Sequence, residues 1–361
     1  MTSKNIPADI KNKSIKETKE EINKILDKIE KGETNLENNT DDYEMLLKLN
    51  KHMDDLFKKK LKEINSLVKK MLKNRLKSNA KKIDLFLKKY FKGQKRSLLI
   101  NPMIYGVVSG GKKIRSSVIL ATGKLYNLKS NKLLNICGAV ECIHSYSLIH
   151  DDLPCMDNDK LRRGKATAHI KYGESTAVLA GNSLLTLAFE MISDYRFKVK
   201  DKNKILLIKK LAECSGHTGI AGGQELDLKY EKKRKNFKDI INMQRKKTGK
   251  LFSFCCFAAG QIAGKSGKAN KGLIRLGEDI GLLFQLADDF LDVKGKSKYI
   301  GKTVNKDKKK GKSTIINLVG YNYAYDYAIN IKKNILRKLE KHGNKANDLK
   351  NIVNFILERK Y

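Results

Sequence analysis

The chain has 361 residues, of which 40% are apolar, enough for one large globular domain with a smaller appendage. Its formal charge is +37, yet only eleven of the 76 basic residues are arginine. The lysine arrives with abundant Asn and Ile, so we read the charge as compositional bias and assign no direct nucleic-acid site. Six cysteines (Cys137, Cys142, Cys155, Cys214, Cys255 and Cys256) show neither a Cys-x-x-Cys pair nor a histidine at zinc-ligand spacing, which argues against a disulfide scaffold or zinc site. No signal peptide opens the chain, and the apolar run Leu251 to Gly264 is too short to span a bilayer, so a cytoplasmic protein without a membrane span is expected.

Three prolines and a pervasive 3.6-residue apolar spacing predict an all-α protein. Residues 1–13 are polar and read as disordered. Ser14 to Lys31 reads as a helix with Ile22, Ile25, Leu26 and Ile29 on one face and Ser14 with Glu17 as a capping box, ended by Gly32. A second helix from about Asp41 carries Leu46, Leu47, Met53, Leu56, Leu61, Ile64, Leu67 and Met71, making 14–70 a helical hairpin. Residues 1–72 are therefore expected to form an N-terminal hairpin domain and 73–361 a second domain of roughly ten helices.

The wording around the hairpin turn, Ile25 to Glu37 and then Tyr43-Glu44, resembles the exodeoxyribonuclease VII small subunit, with Gly32, Glu33, Leu36, Glu37, Tyr43 and Glu44 in that family's order. Asn38, Asn39 and Thr40 stand where that family continues a helix. The resemblance implies a nuclease large subunit as a partner of residues 14–70; a helical extension without a nuclease role is the alternative.

Two acidic segments carry the chemistry. Asp151, Asp152 and Asp157 flank Pro154, which disfavours helix at Leu153 and should turn Asp157 back toward Asp151. Asp288 and Asp292 are four apart, so they share a helix face with Asp289 alongside, among Phe284, Leu286, Phe290 and Leu291. Unpaired carboxylates in such apolar settings are costly, and oxygen-rich clusters suit hard cations shared with phosphate.

Val140 to Thr167 resembles the first aspartate-rich motif of the trans-polyprenyl diphosphate synthases of short-chain type. Gly110-Gly111-Lys112-Lys113-Ile114-Arg115, Gly222 to Asp227, Lys247-Thr248-Gly249, Asp288 to Asp292 and Gly311 to Thr314 follow in that family's order. The resemblance, over residues 73–361, implies an isoprenoid synthase helical bundle acting as a homodimer with Mg²⁺ as cofactor on isopentenyl and allylic diphosphates. It implies that Asp151, Asp152, Asp157 and Asp288 hold Mg²⁺ and that Arg162 holds the allylic diphosphate. Lys112, Arg115, His144 and Arg163 would clamp isopentenyl diphosphate. Lys247, Gln285 and Lys302 would lie over the allylic group, with Thr248 and Gln224 lining the same cavity.

Tyr146, five residues before Asp151, stands where bulk closes the elongation tunnel in that family, so farnesyl diphosphate is the expected product. A geranylgeranyl or longer product is the alternative, with small Ser147 beside it. A terpene cyclase would not need Lys112, Arg115 and His144. A DNA-processing subunit acting through the hairpin is the reading from another class, and a dead scaffold conflicts with so full a ligand set. Departures from the family are Lys160, Ser116 and Ile315-Ile316.

Overall fold

The computed structural model describes residues 7–31, 36–108, 110–231, 233, 235–294 and 314–359. The chain divides into two compact units, 1–71 and 72–361. In the first, α1 (Ala8–Lys11) is a single turn and α2 (Ile15–Glu30) starts at Ser14. The Ser14 side chain accepts from the Glu17 amide while Glu17 accepts from the Ser14 amide, the capping box anticipated from the sequence. Residues 8–11 depart from the expected disorder: Ile10 is fully buried with Ile25, Leu46 and Leu49, and this apolar anchor orders the segment.

α3 runs unbroken from Leu36 to Lys92. Two expectations are corrected here. The second helix begins before Asp41, and it runs on past the boundary expected at residue 72, because no Gly or Pro interrupts 36–92 and Gly93 is the first residue able to end it. The expected apolar stripe is also split: Leu46 is buried and Met53 and Leu56 are half-buried, whereas Leu47, Leu61, Ile64, Leu67 and Met71 are exposed.

The second unit comprises the end of α3 and a series of helices: α4 (Ile100–Val108), α5 (Ile114–Lys124), α6 (Leu134–Asp151), α7 (Ala168–Tyr172), α8 (Glu174–Ser193), α9 (Asp201–Ser215), α10 (Ile220–Tyr230), α11 (Phe237–Gln244), α12 (Lys250–Ile262), α13 (Gly267–Lys294), α14 (Ile315–Val319), α15 (Tyr321–Glu340) and α16 (Asn347–Glu358). α12 is buried at every position from Leu251 to Gln261, the signature of a helix enclosed on all sides, and it packs against α5, α9 and α13. The apolar run that is too short for a bilayer is thus the centre of the core. The helix that is long and apolar enough to cross one, among the described residues, is α8, whose Ala177, Leu184, Leu187 and Met191 are buried in the same core.

Strands were not expected, and among the described residues there is one short ladder. Leu161–Arg162 (β1) pairs antiparallel with Lys165–Ala166 (β2). The two residues between them, Arg163 and Gly164, both have positive φ (53° and 75°), the requirement of a tight type I′ hairpin. A two-residue ladder is too short for alternation to reveal it in sequence.

Candidate active site

α6 ends at Asp151, with Asp152 as its cap, before Pro154. The Asp157 amide donates to the Asp151 carbonyl at 2.8 Å and the Asp159 amide to the Asp152 carbonyl at 3.1 Å, so the segment folds back on the helix end. Asp151 and Asp157 are half-buried at this turn. Asp152 is different. It is buried, and Arg162 grips it, donating from Nε to Oδ2 at 2.7 Å and from Nη2 to Oδ1. Burial opposes the charge on Arg162, but the Asp152 carboxylate outweighs it and raises the guanidinium pKa. Asp152, expected as a Mg²⁺ ligand, thus anchors an arginine in this structure, beside the half-buried Asp151 and Asp157.

The I′ turn sends the neighbouring Arg163 elsewhere: it donates to the Gly110 carbonyl. Gly111 makes this approach possible, since it has φ 104° and a Cβ there would sit 2.8 Å from the Arg163 Cζ. Lys113, with φ 46°, caps α5 and turns the chain so that Lys112 is exposed while Lys113 is buried. The Lys113 Nζ donates to the Val107 carbonyl and lies 3.6 Å from both Asp84 Oδ1 and Glu141 Oε2. Glu141 also accepts from the Ser116 hydroxyl at 2.7 Å, which gives the departure at Ser116 a structural role.

Arg115 donates from Nη1 to His144 Nε2 at 3.1 Å, and its guanidinium lies 4.9 Å from the Phe252 ring centre and 5.7 Å from that of Phe284. Burial, reinforced by the cations of Arg115 and Arg163, holds His144 well below the ordinary histidine pKa. Its ring is neutral at pH 7, with Nε2 accepting and the proton on Nδ1.

At the second motif, Asp288 and Asp289 take opposite roles. Buried Asp289 accepts from Gln244 and from Gln285, each at 3.0 Å, and Gln285 accepts from the Thr248 hydroxyl at 2.8 Å. Asp288 is half-exposed and accepts from Arg359 at 2.8 Å, while Arg359 stacks 4.0 Å over the Phe284 ring centre. Lys247 and Thr248 lie on a π-helical turn, Arg245–Gly249, a distortion frequent at functional sites. Lys247 donates to Asp227 at 2.6 Å. Gln224 is buried with neither amide atom paired, as is the Nε of Arg115, so these polar atoms suit a bound polar molecule. Lys302 and Gly311 to Ser313 lie outside the described residues.

Sequence reasoning missed Arg359, Asp227 and the Lys113–Asp84–Glu141 cluster as neighbours of these groups. Asp227 lay within a quoted motif and so was findable; Arg359 reaches Asp288 across 71 residues and left no local signal. Among the described residues no three of His, Cys, Asp and Glu form a closed cage for a metal. The donor set, separate and partly exposed carboxylates at Asp151, Asp157 and Asp288, fits Mg²⁺, which binds through one or two carboxylates and completes its shell with water and substrate phosphate.

Residues 96–356 match the family model described as polyprenyl synthetase. The chain is 40% identical to farnesyl diphosphate synthase of Escherichia coli (strain K12) over 266 residues, 72% of this chain and 89% of that protein. Among solved structures, it is similar to the apo FPP/GFPP synthase of Zymomonas mobilis (34% identity, TM-score 0.71, covering 79% of this chain and 98% of the other). It is also similar to the Helicobacter pylori geranyltransferase complexed with magnesium and isoprenyl diphosphate (32%, TM-score 0.67, 80% and 96%). With its motifs in order on an all-α scaffold, the chain belongs to the polyprenyl synthetase family.

Proposed function

We propose that the protein is a Mg²⁺-dependent farnesyl diphosphate synthase that condenses isopentenyl diphosphate with dimethylallyl or geranyl diphosphate. The observation that carries this reading is the back-folded turn joining Asp151 to Asp157 beside the Asp152-anchored Arg162, which puts cation ligands and a fixed guanidinium at one end of α6.

Asp151, Asp157 and Asp288 would hold Mg²⁺, which when bound neutralises the charge that grows on a departing diphosphate. Arg162 orients that diphosphate, and its own orientation comes from Asp152. Lys112, Arg115, His144 and Arg163 clamp the second diphosphate. His144, being neutral, offers an Nδ1–H donor without adding charge. Lys247, Thr248, Gln285 and Gln224 line the allylic side, with buried Asp289 holding the amide of Gln285 in place. The double bond of isopentenyl diphosphate forms the new C–C bond at the allylic carbon, and a proton then leaves for the released diphosphate. Tyr146 closes the tunnel after two condensations. A homodimer and a cytoplasmic setting belong to this reading.

The exposed Leu61, Ile64, Leu67 and Met71 favour a second, separate reading for the hairpin, docking to an exodeoxyribonuclease VII large subunit. Co-purification of that subunit with the full chain tests it. The synthase reading is tested by incubating the full chain with isopentenyl and dimethylallyl diphosphates and Mg²⁺ and weighing the products. A C15 product absent with Asp151→Ala supports it, and no product from the wild-type chain refutes it.

A further inference from the structure

His150 lies one turn after Tyr146 on α6 and belongs to none of the groups read as binding metal or diphosphate. Its surroundings are nevertheless closely built. Nε2 lies 3.1 Å from the Val178 carbonyl on α8, so that nitrogen carries the proton and donates. A Cβ on Gly181, one turn further along α8, would collide with Nε2 and Cδ2 of the ring, so the imidazole rests against bare helix backbone. Its remaining side meets Tyr146 edge to face, with ring centres 5.4 Å apart and planes at 89°. The outer torsion of a phenol ring has a broad well, its 180° flip being equivalent, and an edge-to-face neighbour narrows that well to one ring plane.

We propose that His150, fixed by Val178 and Gly181, sets product length by holding the Tyr146 ring across the elongation path: a positioning residue for chain-length specificity. This rests on the reading of Tyr146 as the tunnel floor. Without the imidazole edge, Tyr146 gains orientations that open the path, and a fraction of the C15 product accepts a further isoprene unit.

The test is the C20-to-C15 product ratio from geranyl and isopentenyl diphosphates with Mg²⁺ for the wild type, Tyr146→Ala, His150→Ala, Gly181→Ala and the double variant Tyr146→Ala/His150→Ala. His150→Gln, which keeps a donor for the Val178 carbonyl but removes the ring, covers the case in which His150→Ala folds poorly. A residue that only supports the fold lowers the rate and leaves this ratio unchanged. The expected result is a ratio raised about fivefold by His150→Ala, the size of one lost aromatic contact, and raised likewise by Gly181→Ala and His150→Gln. The double variant should match Tyr146→Ala alone, because residues that act through one another are not additive. An unchanged ratio in the His150 variants, with lengthening in Tyr146→Ala, overturns the inference and leaves the floor standing. Additive lengthening in the double variant also overturns it, since His150 would then act independently. An unchanged ratio in Tyr146→Ala overturns the floor reading itself.

Discussion

Replacing Lys113 by Met should destabilise the second unit by about 3 kcal/mol. The Lys113 side chain is 2% exposed and that of Glu141 3%, so the cation and one of its carboxylates have almost no water to replace each other. Losing one partner of a buried ion pair costs roughly 3–5 kcal/mol, because the other charge stays buried and uncompensated. Asp84 is 26% exposed and can take up water or a proton, which places the effect at the lower end. At this domain size, about 3 kcal/mol lowers Tm by roughly 5 °C. Circular dichroism melts at pH 7 measure it, and adding Glu141→Gln should recover part of the loss. The pH dependence carries the same signature. Burial, partly offset by Lys113, raises the Asp84 pKa, so its stability contribution is greatest at low pH and is lost as pH rises through the raised value. In Lys113→Met that loss should be steeper. A variant that melts within about 1 °C of the wild type would refute the assignment of this cluster as a charge-compensated unit.

His144 should stay neutral well below the ordinary histidine pKa, and stability should fall as pH drops below that ordinary value, where the unfolded chain takes up a proton that the folded ring refuses; ring NMR shifts and melts against pH measure both. Glu17 is held below the ordinary glutamate pKa by the Ser14 backbone N–H, so its stabilisation of α2 is present above that value and lost as pH falls through the lowered one; first-turn amide exchange against pH measures this. Gly223→Ala would drive a Cβ into the Lys247 backbone nitrogen, which cannot yield as a side chain would, and should cost about 1–3 kcal/mol together with a fall in synthase activity. Arg359→Ala frees half-exposed Asp288 from an ion pair worth up to about 1 kcal/mol, so calorimetric Mg²⁺ binding should tighten by up to about fivefold.

What was legible in the sequence was local. Ser14 and Glu17 satisfy one another's amides three residues apart, and Pro154 ends α6 from within the same segment, so both could be read from spacing alone. The division of labour within each aspartate pair could not. Asp151 and Asp152 are chemically identical neighbours, and only the return of Arg162 through a two-residue turn makes one an anchor. Asp288 and Asp289 are separated likewise by Gln244 and Arg359, which arrive from 45 and 71 residues away. The full length of α3 was not legible because the apolar stripe was followed only as far as Met71, whereas helix continuity depends on the absence of Gly and Pro. The exposed half of its stripe shows that periodicity marks a face without saying what covers it.

The Arg163-Gly164 turn constrains how this segment can change by insertion or deletion. Arg162 closes β1 and Arg163 opens the turn, so adding or removing one residue here would break the two-residue register and displace both arginines from Asp152 and the Gly110 carbonyl. The positive φ of both turn residues restricts the loop in identity as well as in length, and a single-codon deletion here would disturb the Arg162–Asp152 and Arg163–Gly110 contacts at once while leaving every helix of the bundle intact.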